Sequence, residues 1–250
     1  METSFIFRRV LQALLPATLL LASCGKDDVP APPAAVDQGR INLYHSAASA
    51  NVGLKFLFDD TEAATLNYGQ SAGYKSLNTG SRVLKVNVAS STTTAASPLT
   101  VNVEKDKNYS YFAYANTPTT LAGLFVNDDL TIPAASAGKA RIRLVHLGQG
   151  SPSTVRLATV VAGVADIPNT EAQFANASGF VDIVPGQYNV AITTGTPSTV
   201  VLNVADGSGS GTGTNKTYEA GKIYTVLLRG INNTLLAADL QPKAVLIQNN

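Results

Sequence analysis

The residues able to do chemistry are few. His45 and His146 are the two histidines of the 250-residue chain. Each closes an apolar strand face, after Ile41-x-Leu43 and Ile142-x-Leu144. A histidine there could act as a base or a metal ligand. Neither has a His or Cys neighbour at ligand spacing, so the pattern is a poor metal site. Occurring once at equivalent places, they fit a rim residue hydrogen-bonding a loop backbone better than a single active site. Asp59-Asp60 and Asp128-Asp129 are acidic pairs at strand ends. Clustered oxygens could take calcium, but neither pair sits in an Asp-x-Asp-x-Asp-Gly loop. Paired carboxylates could also hydrolyse a glycosidic bond. The plainer expectation is that all four are solvated turn residues. The Gly207 to Thr214 run has no Gly-Lys-Ser/Thr ending and reads as a hairpin tip, not a phosphate loop.

Tyr68, Tyr74, Phe174 and Phe180 flank tight turns. Exposed rings beside loops can stack on sugars, so these four are the candidate ligand contacts; the alternative is corner packing. Tyr44, Tyr111 and Tyr114 are weaker candidates of the same kind.

The remaining reactive group is Cys24, the one cysteine. A single thiol excludes a disulfide scaffold and a multi-cysteine metal site within the chain. It follows a positive Arg8-Arg9 and an apolar stretch from Val10 to Leu21, twelve residues and too short to span a bilayer. That is the pattern of a secretory signal. Leu21-Ala22-Ser23-Cys24 resembles the bacterial lipobox, which implies cleavage before Cys24 and acylation of its sulfur. Lys26, Asp27 and Asp28 resemble the short export signal of surface lipoproteins in Gram-negative bacteria. Pro30, Pro32 and Pro33 stiffen the tether behind it. The expected partner is therefore the outer membrane, reached through lipidated Cys24, with the protein facing the cell surface or, alternatively, the periplasm.

Charge excludes another class of partner. Lys plus Arg number 18 and Asp plus Glu 17, and charged residues are only 14% of the chain. Losing residues 1–23 removes Glu2, Arg8 and Arg9 and leaves sixteen of each sign. No nucleic-acid partner is expected from such a balance. No cofactor is expected either.

The elements that must position these residues are written twice. Arg40-Ile41-Asn42-Leu43-Tyr44-His45 recurs at an offset of 101 as Arg141-Ile142-Arg143-Leu144-Val145-His146. Tyr68 to Tyr74 recurs at 106 as Phe174 to Phe180, and Glu104 to Tyr109 at 115 as Glu219 to Tyr224. The last increase falls where the second copy carries the Gly-Ser-Thr run, as a loop insertion would. Within each copy, apolar residues alternate, as in Leu54-x-Phe56-x-Phe58 and Val101-x-Val103. Period two bounded by Gly, Asn, Ser and Pro predicts strands with one face solvated. Tyr109–Ala115 with Leu121–Val126, and Tyr218–Arg229 with Thr234–Leu240, are hairpin candidates. Roughly seven short strands per hundred residues suit an immunoglobulin-like sandwich. The expected fold is all-β, with two tandem immunoglobulin-like antiparallel β-sandwich domains. The expected boundaries are a signal peptide at 1–23, a tether at 24–39, and domains at 40–133 and 139–250.

The ordered set of repeated Arg-Ile-x-Leu-x-His, the aromatic-bounded turn, the Gly-x-x-x-Val/Leu strand and Glu-x-x-Lys-x-Tyr resembles domain-of-unknown-function family 4397. The stretch Asp129-Leu130-Thr131-Ile132-Pro133 with Gly138 to Arg141 belongs to the same pattern. The resemblance covers residues 40 to about 240 and implies a β-sandwich at the cell envelope, with no catalytic residues to carry over. The expectation is a non-enzymatic binding or adhesion module for a glycan or a surface protein. The alternatives are a structural spacer or accessory subunit and, behind it, a carboxylate-based glycan hydrolase.

Overall fold

A computed structural model describes residues 36–205 and 215–250. The expected signal peptide, Cys24, Lys26, Asp27, Asp28, most of the expected tether and the Gly207–Thr214 run lie outside the described residues. Val36–Asn250 forms one compact unit.

The described chain is all-β. Its first half holds β1 (Gln38–Ser46), β2 (Leu54–Phe58), β3 (Thr61–Leu66), β4 (Ser71–Asn78), β5 (Gly80–Val88), β6 (Thr94–Val103), β7 (Asn108–Ala115) and β8 (Leu121–Asn127). These make two sheets, ordered β4-β1-β7-β8 and β3-β2-β5-β6. A single turn of 3-10 helix at Ala134–Ser136 leads into the second half. There the strands are β9 (Ala140–His146), β10 (Thr154–Val160), β11 (Val164–Asp166), β12 (Ala172–Gln173), β13 (Asn176–Ala177), β14 (Val181–Ile183), β15 (Gly186–Thr194), β16 (Thr199–Ala205), β17 (Lys216–Tyr218), β18 (Ile223–Arg229) and β19 (Lys243–Gln248). Their main path is β11-β10-β15-β16-β19-β18-β9-β13, a sheet folded into two layers.

The pairing follows the sequence repeat residue for residue. Ile41 sits opposite Tyr109, and Ile142 opposite Tyr224, so the offsets of 101 and 115 survive as register. Phe56 faces Val86 as Leu157 faces Ile192, preserving 101 and 106. Three pairs of strands depart from the antiparallel expectation: β1 with β7, β9 with β18 and β16 with β19 run parallel. Between β1 and β7 the chain passes through the opposite sheet, which supplies the long crossover a parallel pair needs. Short β-turns alone, the connection legible in the sequence, could not make it.

Each half has its own core. Leu43, Leu54, Phe56, Leu84 and Tyr111 fill the first; Ile142, Leu144, Leu157, Ile192 and Val226 fill the second, all 1% exposed or less. Burying each such side chain contributes about 1.5–3 kcal/mol. The one-sided strand reading fails at the inner sheets. Asn42 and Tyr44, expected on a solvated face, are 7% and 5% exposed. The reason is a third apolar layer, in which Tyr44, Phe112 and Tyr114 of the first half meet Val145, Leu147 and Leu227 of the second. The inner sheets pack back to back, so β9 and β18 are buried along their whole length.

The first hairpin forms as expected, between β7 and β8. In the second, β18 pairs instead with β19. Residues 234–240 are held in turns: the Leu235 N–H donates to Asn233 Oδ1, and the Ile231 N–H to the Leu240 carbonyl. Leu236 and Leu240 then lie on Ile231 rather than in a sheet.

Gly123 in β8 lets the Tyr111 ring, 1% exposed, lie flat on the backbone, where any Cβ would collide with it. Gly123→Ala is expected to lower the unfolding free energy by about 1–3 kcal/mol, read from urea denaturation, because the enclosed ring has nowhere to go.

Candidate functional site

The histidines are the simplest residues to place. His45 and His146 are both fully enclosed. His45 Nε2 donates to the Val52 carbonyl at 2.9 Å, and its Nδ1 accepts from the Ala47 N–H at 3.4 Å. His146 does the same with the Pro152 carbonyl at 2.8 Å and the Gly148 N–H at 3.4 Å. Each ring is thus neutral and ties a strand end to the loop that follows. Burial is the main cause that holds both below the usual histidine pKa.

The acidic pairs separate into two kinds. Asp59 accepts from the Val83 N–H at 2.9 Å and from Arg82 at 3.1 Å, and Asp60 pairs with Lys85 at 2.6 Å. Those bonds, the backbone one first, hold the Asp59 carboxyl below the usual range. Both residues are solvated turn residues, as expected. Asp129 likewise is exposed, near Arg141. Asp128 is not: it is 1% exposed, and its expected solvation is wrong. Its Oδ1 meets Arg143 Nη2 at 2.5 Å, and its Oδ2 accepts from Ser110 at 2.6 Å and Tyr74 at 2.5 Å. Arg143, 2% exposed, also donates to Thr225 Oγ1 at 3.0 Å and to the Asn127 carbonyl at 3.3 Å. Asp128 belongs to the first half and Arg143 to the second. The pair therefore sits in the seam between the inner sheets, with every strong donor answered.

The four candidate aromatics are half-buried and engaged within the fold. Tyr68 stands edge-on to His45 at 5.8 Å, with the Arg229 guanidinium 4.6 Å above its ring. Phe174 stands edge-on to His146 at 5.7 Å and to Tyr114 at 5.8 Å. Tyr74 lies under Arg40 at 5.6 Å and Phe180 under Arg143 at 4.4 Å. Burial, then the Asp128 charge, pushes the Tyr74 hydroxyl well above its usual pKa. The weaker candidates Tyr44, Tyr111 and Tyr114 are core or seam residues. The structure brings Tyr74 and Phe180 toward one cluster, Asp128–Arg143, but does not join the four rings into one surface.

A more open feature was missed by the sequence reading. Strands β3 and β4 are each an edge strand of one of the two sheets of the first half. Between them lies a groove of about 340 Å³. Its floor is Ile41, Phe58 and Leu77, and its rim carries the Asp59–Arg82 pair, Glu62 and Lys75. None of the four candidate aromatics lines it. An apolar floor with charges of both signs at the rim suits the holding of a ligand. Among the described residues, no three His, Cys, Asp or Glu side chains are grouped as around a metal ion. The signal that could have found the groove is the mixed charge of β3 and β4 on strands that otherwise read as ordinary.

Fold and groove together define an all-β sandwich protein with an edge groove. Within that class, the model for Domain of unknown function (DUF4397) matches residues 39–155, all but the first residue of β1–β8 and on into β10. No curated protein matches the chain. Among solved structures, the chain is similar to the Bacillus anthracis TIE protein, at 9% identity and a TM-score of 0.23, covering 77% of this chain. It spans 34% of that protein's chain. It is also similar to a Parabacteroides distasonis ATCC 8503 protein provisionally named a cell adhesion protein. That match has 8% identity and a TM-score of 0.24, covering 87% of this chain and 99% of that one.

Two outcomes follow from the buried groups. Arg143→Met strands the Asp128 carboxylate in the seam and is expected to cost about 3–5 kcal/mol; Arg143→Met with Asp128→Leu recovers most of it, measured by chemical denaturation as a double-mutant cycle. The histidines set a pH window. Their folded pKa lies below the unfolded value of about 6.5, so the unfolded chain binds protons that the native one refuses. Stability is full above pH 6.5 and falls on acidification below it, by up to about 1.4 kcal/mol per pH unit for each ring. Thermal melts from pH 7 to 5 should show the fall, flattened in a His45→Gln, His146→Gln double variant.

Proposed function

We propose that this is a lipid-anchored protein of the Gram-negative cell envelope that binds a ligand rather than transforming one. On this reading it consists of two tandem immunoglobulin-like copies behind a tether. Cys24 carries the lipid, Lys26, Asp27 and Asp28 direct export, and the sandwich faces outward from the outer membrane. The observation that carries the binding reading is the edge groove between β3 and β4, whose apolar floor is part of the first core and whose rim is charged. The ligand class is a glycan or a segment of another surface protein. An extended peptide would also find the unpaired backbone of two sheet edges there. The spacer reading draws on a different observation, the buried seam that locks the two halves into one body. The hydrolase reading draws nothing from Asp128, whose carboxylate is already held by Arg143, Ser110 and Tyr74.

Two measurements test this reading. In a Gram-negative host, Cys24→Ser should move the protein from the membrane to the soluble fraction; retention in the membrane fraction sinks the anchor. The soluble protein, probed on glycan and peptide arrays, should bind at least one class of ligand and lose it on Lys75→Glu without a change in melting temperature. Empty arrays, with a stoichiometric partner co-purifying from the envelope, would put the spacer in its place.

A further inference from the structure

A second cavity, of about 220 Å³, opens at the seam between the halves. One wall is Leu227, Val245 and Ile247 of the second half; the other carries Ser46, Gln70 and Ser71 of the first. At its back is Arg229, the last residue of β18 and 9% exposed. Unlike Arg141, Arg143 and Arg156, it makes no ion pair with a carboxylate among the described residues. Among the described residues, its Nη1 is enclosed with no hydrogen-bond partner, and the neighbour that its guanidinium does engage is the neutral Tyr68 side chain. Asp239, an exposed residue whose charge is felt at Tyr68, does not pair with it.

An enclosed guanidinium with an unanswered N–H is costly, and native structures seldom keep one without a use. This one is held in a fixed plane. The Tyr68 ring supports it from one side at 4.6 Å. Gly69, at φ +88°, comes so close that a Cβ there would lie 2.8 Å from Nη1 and 3.1 Å from Nη2. A planar fork, pre-set on an aromatic face and short of an acceptor, matches a carboxylate. Ser46, Gln70 and Ser71 add polar groups beside it, and the aliphatic wall suits the carbon skeleton of a small acid.

We propose that this cleft is an anion site in which Arg229 takes the carboxylate of a small organic acid or of an acidic residue on a larger ligand. It is independent of the edge groove: the two share no lining residue and stand on opposite faces of the sheet that contains β1.

The test is thermal unfolding in sodium acetate, glucuronate, glutamate or chloride at matched ionic strength. At least one carboxylate should raise the melting temperature above chloride in a saturable way, and the acid giving the largest rise separates a sugar acid from an acidic amino acid. Arg229→Gln should abolish the difference. Ser71→Glu places a carboxylate in the cavity from the protein itself; it should melt higher than the unmodified chain and no longer respond to added acid. Equal melting in carboxylates and chloride, or an undiminished response in both variants, overturns the site. Because Ser71→Glu is a surface exchange, a failure of Arg229→Gln to fold would still leave that arm decisive. An intact carboxylate response with empty arrays would overturn the groove and not this cleft.

Discussion

The Arg143 guanidinium and the Asp128 carboxylate meet across the seam between the inner sheets, 2.5 Å apart and cut off from water. Such a pair adds little net stability, because desolvating both charges offsets most of their attraction. Its consequence is register. Any sliding of one inner sheet over the other would leave one charge buried and unpaired, at several kcal/mol. The apolar layer of Tyr44, Phe112, Val145 and Leu227 drives the sheets together but is tolerant of where they meet. The ion pair removes that tolerance. With the seam fixed, both flanking cores, both histidine-tied loops and the cleft beside Arg229 acquire fixed positions.

The seam joins two halves whose matching positions carry different groups. Arg143 stands at the offset of 101 from Asn42 of the first half. Asp128 donates its N–H to Asn108 as Asn249 does to Ile223, so Asn249 is the counterpart of Asp128. Ser110 bonds to Asp128, and its counterpart Thr225 bonds to Asn249. The Arg lies in the second half and its carboxylate in the first, so this part of the contact is polar in one direction only. The rest of the contact remains reciprocal, in the manner of a symmetric dimer: Tyr114 of the first half packs on Phe174 of the second, and Arg229 of the second packs on Tyr68 of the first.

Much of this was legible in the residues. Repeat offsets survive as strand register because a shift of one residue would turn every core side chain to the wrong face. The histidines were legible as rim residues because their repetition argued for a fold requirement. The seam was not. Period-two alternation marks one buried face and leaves the other open. The apolar residues on both faces of Tyr109–Ala115 were the available sign of a doubly covered strand. Asp128 and Asp129 are chemically alike and adjacent, and what distinguishes them is a set of partners on other strands, Arg143, Ser110 and Tyr74. The second hairpin was misplaced because residues 234–240 are as apolar as a strand, while their hydrogen bonds close locally.

The reciprocal contacts at the ends of the seam narrow where recognition was added to packing. Tyr114 and Arg229 are equivalent at the offset of 115, and each reaches an aromatic ring of the opposite half. At the first end the contact is ring on ring, and it satisfies packing alone. At the second a cation takes the place of the ring, gains a π face, and keeps an Nη1 with no acceptor among the described residues. Packing does not require that exchange, since the other end shows an aromatic residue fitting the same geometry. Where two equivalent ends share one structural task, the unmatched group on one of them is the part the structural task leaves unexplained. The Arg229 cleft is therefore the place in this fold where the demand of a ligand is most sharply separated from the demand of the sandwich.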